Sequence, residues 1–141
     1  MKYLLSFILF CAAIVTINAQ SAIGTWTTID DVDGKVKSHV EIYEKSGKLY
    51  GKVSKLINSE SSTCGKCGGA KKDQPIEGME IIWNLVKDSD TEWEEGNILD
   101  PKSGKEYKCK IELLDANTLN VRGFIGFSLL GRTQTWYRLE L

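Results

Sequence analysis

KEYKCKIELLDANTLNVRGFI, residues 105–125, decides the fold. In its first half Tyr107, Cys109, Ile111 and Leu113 alternate with Lys108, Lys110 and Glu112. Successive side chains of a strand point to opposite faces, so a period of two marks an extended segment with one face buried. Asp115-Ala116-Asn117 then supplies turn chemistry, and a second β-rich run follows from Leu119 to Ile125. Two such runs joined by a short polar turn read as a hairpin.

The same signal extends in both directions. Strands are expected at residues 23–29, 36–44, 48–57, 79–87, 92–99, 105–114, 119–125 and 133–139. In the second, Val36, Val40 and Ile42 share one face while Lys37, His39, Glu41 and Tyr43 share the other. Asp30-Asp31-Val32-Asp33-Gly34, Ser46-Gly47, Asp88-Ser89-Asp90 and Asp100-Pro101-Lys102-Ser103-Gly104 separate them. The last fits a type I turn, with Pro in the second position and a closing left-handed Gly. Eight short strands with mostly hairpin-length links predict an all-β, eight-stranded up-and-down antiparallel barrel. A sandwich is the alternative, and periodicity alone does not separate the two.

Composition narrows the function classes. The chain has 141 residues, a formal charge of −1, 26% charged and 42% hydrophobic residues. That is too apolar for a disordered tail and too evenly charged for a nucleic-acid binder working through bulk electrostatics. The length suits a single domain.

Residues 1–19 read as a cleaved signal peptide, leaving residues 20–141 as the barrel domain. Lys2 gives a positive start, residues 4–17 are apolar apart from Ser6 and Thr16, and the small Ala19 precedes the cut. The apolar run is shorter than the roughly 20 residues that span a bilayer, and no second one follows, so no stable span is expected after cleavage. A retained N-terminal anchor is the rival reading. Phe10 before Cys11 is too large for lipobox processing. The expected location is therefore periplasmic or secreted.

Export bears on the three cysteines left in the mature chain, because an oxidising compartment favours disulfides over metal thiolates. Cys64-Gly65-Lys66-Cys67 lacks the following helix that a redox motif requires, and Gly68-Gly69 comes next instead. A zinc site needs a fourth ligand, and only Cys109 and the lone His39 are on offer. A Cys64–Cys67 structural disulfide is expected, with metal and redox roles as alternatives. Cys109 is expected to be a reduced core residue beside Tyr107 and Ile111.

Other constellations read as structure. His39, the only candidate base for a catalytic triad, lies on a polar strand face. Asp31-Val32-Asp33-Gly34 resembles half a calcium loop, but Ile29 and Val40 stand where ligands belong, so it reads as a turn. Glu92-Trp93-Glu94-Glu95 reads as a solvated face. No metal and no cofactor is expected. Gly24-Thr25-Trp26 opens the first strand, and Gly131 to Arg138 closes the last. In a closed barrel these strands are neighbours, so an arginine, Arg138 in preference to Arg132, can stack on the Trp26 indole. Two unrelated core tryptophans are the plainer alternative.

Several stretches together resemble one bacterial family. They are Gly24-Thr25-Trp26, the CxxC loop through Pro75-Ile76-Glu77-Gly78-Met79, Ile98-Leu99-Asp100-Pro101 with Gly104-Lys105-Glu106-Tyr107, and residues 121–136. The family is an exported domain of unknown function, number 2147, itself similar to lipocalin or calycin barrels. That resemblance implies secretion and a lipocalin-like barrel with Gly24, Trp26 and Arg138 closing it, and it implies no catalytic residues.

Three functions compete. The first is a non-catalytic carrier of a small hydrophobic or amphipathic ligand, using aromatics found on several strands (Trp26, Tyr50, Trp83, Tyr107, Phe124, Trp136). Tyr50, Trp83 and Tyr107 are the expected lining, with Arg122 as anchor for an acidic head group; an outward Arg122 is equally compatible with the alternation. The second is a filled-core interaction module of the cell envelope, acting through residues 58–78 or the apolar loop with Phe127, Leu129 and Leu130. The third, an enzyme, has no recognisable nucleophile–base pair. Intact mass of the exported protein should begin at Gln20. Retention of residues 1–19, or lipid on Cys11, would contradict the cleavage site.

Overall fold

The computed structural model describes residues 21–126 and 130–140. Expectations placed on residues 1–19, Phe127 and Leu129 lie outside the described residues. Eight antiparallel strands follow one another in chain order around a closed barrel. They are β1 (Gly24–Ile29), β2 (Val36–Lys45), β3 (Lys48–Leu56), β4 (Glu80–Lys87), β5 (Glu92–Asp100), β6 (Lys105–Asp115), β7 (Thr118–Phe124) and β8 (Gly131–Arg138). One 3-10 turn, Gly69–Lys71, interrupts the β3–β4 connection. Among the described residues no helix is long and apolar enough to cross a membrane. The barrel expected from the alternation is the fold.

Alternation becomes packing through register. Cys109, Ile111 and Leu113 lie opposite Gly123, Val121 and Leu119 on β7. Those three in turn oppose Arg132, Gln134 and Trp136 on β8. Cys109, Ile111, Leu113, Leu119, Val121 and Trp136 are all buried. The interior face thus runs continuously across three strands. β8 begins two residues before the run expected from sequence, because its ladder with β7 continues to Phe124↔Gly131. That extension adds Arg132 to the interior row.

Strict alternation is interrupted in several ladders, and the break between β4 and β5 shapes the interior most directly. Asn84 and Glu95 both take left-handed backbone, φ 62° and 61°, between the pairs Trp83↔Asn97 and Val86↔Glu94. The break lets Ile82 and Leu85 both face inward, opposite Gly51 and Leu49. Leu85 packs into the space over Gly96, where a Cβ would lie 2.5 Å from its Cδ2.

The two ends of the barrel differ. Tight turns at residues 46–47, 88–91 and 116–117 gather at one end, and the strand ends that lead into the β1–β2, β3–β4 and β7–β8 connections gather at the other. Trp26, fully buried, plugs the tight-turn end, its Nε1 donating to the Ala22 carbonyl at 2.9 Å. The Arg138 guanidinium lies 4.4 Å from the Trp26 ring centroid. It donates from Nε to Ala116 O (2.7 Å), from Nη1 to Ile23 O (2.9 Å) and from Nη2 to Ser21 O (2.7 Å). Gly24 makes room for it: at φ 139° an added Cβ would sit 2.5 Å from Arg138 Nη1.

Trp26→Ala should lower the unfolding free energy by about 3–5 kcal/mol, as expected for truncating a buried aromatic that cannot be repacked. Urea unfolding followed by far-UV circular dichroism measures this. A loss under about 1 kcal/mol would mean that the indole does not hold the barrel end.

Candidate functional site

The large side chains Trp26, Ile42, Leu85, Trp93, Leu113 and Leu119 fill the closed end. Toward the other end the inward positions carry Thr28, Ser38, Cys109 and Gly123, which are small. The space they leave is a cavity of about 1020 Å³, open to solvent among the long connections. Val53, Leu56, Ile98, Tyr107, Val121 and Trp136 give it apolar walls. That volume lies at the upper end of the roughly 300–1,000 Å³ typical of sites that enclose small molecules.

Several of the polar side chains that face the space are paired with one another. Thr28 Oγ1 and Ser38 Oγ are 2.7 Å apart, and Thr28 Oγ1 also donates to the Ser38 carbonyl at 3.3 Å. Trp136 Nε1 donates to Gln134 Oε1 at 3.1 Å. Higher on the same β8 row, Gln134 Nε2 and the Arg132 guanidinium both donate to the carboxylate of Asp31. The hydrogen bond from Arg132 is the main reason the Asp31 carboxyl is held below the usual carboxylate range. A carboxyl lowered in this way contributes stability above its unfolded pKa and loses it as pH falls through the lowered value. The contact is therefore intact at neutral pH.

One wall of the mouth is the connection carrying Cys64 and Cys67, which form a disulfide with both residues buried. Cys64 Sγ rests 3.4 Å from the Pro101 carbonyl oxygen on the β5–β6 turn. Gly104 closes that turn at φ 71°, and a Cβ there would lie 1.9 Å from the Lys66 carbonyl oxygen. Loop and turn are thus fitted to each other.

The residues expected to line the cavity divide. Tyr107 lines it, opposite Ile98. Tyr50, Trp83 and Arg122 do not, and these three expectations are corrected. Leu49 and Gly51 point inward, so Tyr50 between them points out; it stacks on Tyr43 with centroids 5.9 Å apart and donates to Asn84 Oδ1 at 3.2 Å. Trp83 follows inward Ile82 and lies on the outer face, 4.3 Å beneath Lys71 Nζ. Arg122 stands between inward Val121 and Gly123, and its Nη1 donates to Thr133 Oγ1 at 3.1 Å. Phe124 and Trp136, named only among the strand aromatics, do line the cavity. Arg132, Gln134 and the Thr28–Ser38 pair had no place in the expected site. The signal that finds them is register, across β7 and β8 for Arg132 and Gln134 and across β1 and β2 for Thr28 and Ser38.

Other candidate chemistry lies elsewhere. His39 pairs with Thr27 on the face opposite to Trp26 and Val40. Asp88, Glu92 and Glu94 bring carboxylates within 4.8 Å of one another, exposed or half-buried at the tight-turn end. They are far along the barrel from the cavity.

Residues 24–138 match the family described as "Uncharacterized protein conserved in bacteria (DUF2147)". The chain belongs to DUF2147. No curated protein sequence matches it. Among solved structures it is similar to HP1028 of Helicobacter pylori, described as belonging to the lipocalin family, with a TM-score of 0.76 over 85% of this chain and 84% of that one. Identity is 20%, so the likeness shows the fold, a lipocalin-like barrel. This DUF2147 chain thus joins such a barrel to an open apolar cavity, with a carboxylate–guanidinium contact at the rim.

Cys109 is fully buried and unpaired, and burial pushes its thiol up to about 12. The thiolate is the reactive form, so native protein should resist alkylation even at about pH 10. After unfolding without reductant, one thiol should label in a chain that lacks residues 1–19 and so Cys11. Rapid labelling of native protein would show that the cavity wall admits the reagent at Cys109.

Proposed function

We propose that the mature domain is an exported, non-catalytic carrier that holds one small hydrophobic or amphipathic molecule inside the barrel. The observation supporting this reading is the open cavity of about 1020 Å³ with apolar walls. An up-and-down barrel hides its sheet edges, so function passes to its interior and its rim. The cavity offers shape and apolar surface, while His39 lies on the outer face. Export to the periplasm or beyond is part of the proposal and rests on residues 1–19. The interaction-module alternative assumed a filled core, and the open cavity supports the carrier reading ahead of it. What remains of that alternative is the exposed Ile125 and Leu130 beside the mouth.

N-phenyl-1-naphthylamine, an uncharged probe that brightens in apolar surroundings, tests the carrier reading. Gly123 faces inward, with Ile98 and Tyr107 at ordinary contact distance from an added Cβ. Gly123→Leu should therefore fill space that about two ligand methylenes would use. At ~0.8 kcal/mol each, that weakens binding by roughly tenfold. Tyr50→Ala, on the outer face, should leave binding unchanged. A wild-type barrel that does not take up the probe, or a Gly123→Leu variant that binds it equally well, would remove the carrier reading.

A further inference from the structure

This inference rests on the carrier reading and names the head group of the molecule carried. Around most of the barrel the strands pair along nearly their whole length; β7 and β8 share seven residue pairs. The seam between β1 and β8 is different. It has two pairs, Trp26↔Arg138 and Thr27↔Tyr137, both toward the closed end. From there to the rim, side chains bridge the strands instead. Asp31, in the β1–β2 connection, reaches across to β8, accepting from Arg132 Nε at 2.9 Å, from Arg132 Nη2 and from Gln134 Nε2 at 3.4 Å.

Those donors stand on the row of β8 that faces the interior, directly above Trp136. One edge of a guanidinium and one amide N–H converging on two coplanar oxygens is a receptor for a carboxylate. Its occupant is the protein's own carboxylate, held where apolar wall gives way to solvent. The Arg132 side chain is 66% exposed, so water screens this ion pair, and exchange for another carboxylate costs little. Other cations at the mouth are poorer candidates. Lys37 is paired with Asp33 at 2.9 Å, and Lys66 and Lys102 are single-point donors on turns.

We propose that Arg132 and Gln134 form the head-group site for a long-chain aliphatic carboxylate whose tail lies in the cavity, and that Asp31 occupies this site until the ligand's carboxylate replaces it. Asp31 then has two consequences. It bridges the β1–β8 seam when no ligand is bound, and it sets a threshold that a neutral apolar molecule does not have to cross.

Displacement of N-phenyl-1-naphthylamine by dodecanoate and by dodecanol, at neutral pH, separates head-group recognition from tail burial. Asp31→Asn should tighten dodecanoate about fivefold and leave dodecanol unchanged, as expected for a screened charge-assisted contact. Arg132→Gln should weaken dodecanoate by a similar factor, again without effect on dodecanol. Equal shifts for acid and alcohol in Asp31→Asn would mean that the seam merely opens, and would overturn the assignment. So would unchanged dodecanoate affinity in both variants, or failure of both amphiphiles to displace bound probe. Probe binding by each variant reports an intact barrel. Absence of probe binding by the wild type defeats the carrier reading itself, a result distinct from all of these.

Discussion

Arg138 stacked on Trp26 is the contact on which barrel closure depends. A sheet becomes a barrel only where its first and last strands join, and here that junction holds two residue pairs plus one further backbone bond, Leu139 N to Thr25 O at 2.8 Å. The guanidinium adds what the short ladder lacks. Its planar face covers the indole while three N–H groups satisfy the carbonyls of Ser21, Ile23 and Ala116. Both termini of the domain and the β6–β7 turn are thereby tied to one side chain. A lysine carries the same charge but has neither the planar face nor the divergent donors, so charge alone does not account for the residue.

Concentrating closure at one end leaves the other end free to vary. Tight turns on the closed side confine the strands, and the long connections are displaced to the open side, where they form the rim. The seam at the rim is held by an exposed ion pair where a backbone ladder would otherwise run. Local opening in a folded protein costs least where few buried apolar contacts are lost. The β1–β8 gap meets that condition, whereas β5–β6–β7, with its continuous buried row, does not. The gradient from rigid floor to yielding rim follows from where the pairing stops.

Strand positions were legible in the sequence because an antiparallel sheet with one wet face must alternate. Lys108, Lys110 and Glu112 had to face water if Cys109, Ile111 and Leu113 did not. Trp26 and Arg138 were legible because closure makes distant chain ends neighbours. The cavity lining was less so. Tyr50 and Trp83 are aromatic, and residue type suggested a pocket, but strand parity places both outside. Parity itself needs the register, and the Asn84–Glu95 break resets it without any apolar signal. Arg132 was obscured because β8 begins among residues with no alternation, where pairing to β7 fixes the strand.

The cavity is a consequence of side-chain size along each strand. Inward positions near the floor carry Trp26, Ile42, Leu85, Trp93, Leu113 and Leu119, and these close-pack without leaving a channel. Two residues further toward the rim, the same rows carry Thr28 above Trp26, Ser38 above Val40 and Gly123 above Val121. Eight strands enclose a width that large side chains fill and small ones do not. The volume therefore depends on which residues occupy the upper inward positions, together with the connections that wall the mouth. Thr28 and Ser38 in that upper set satisfy each other, so this part of the wall presents little unpaired hydrogen-bonding capacity. Unmet donors and acceptors in the walls would demand water or a polar ligand. With those paired, apolar surface is what the interior has left to offer, and polar selectivity is left to the rim.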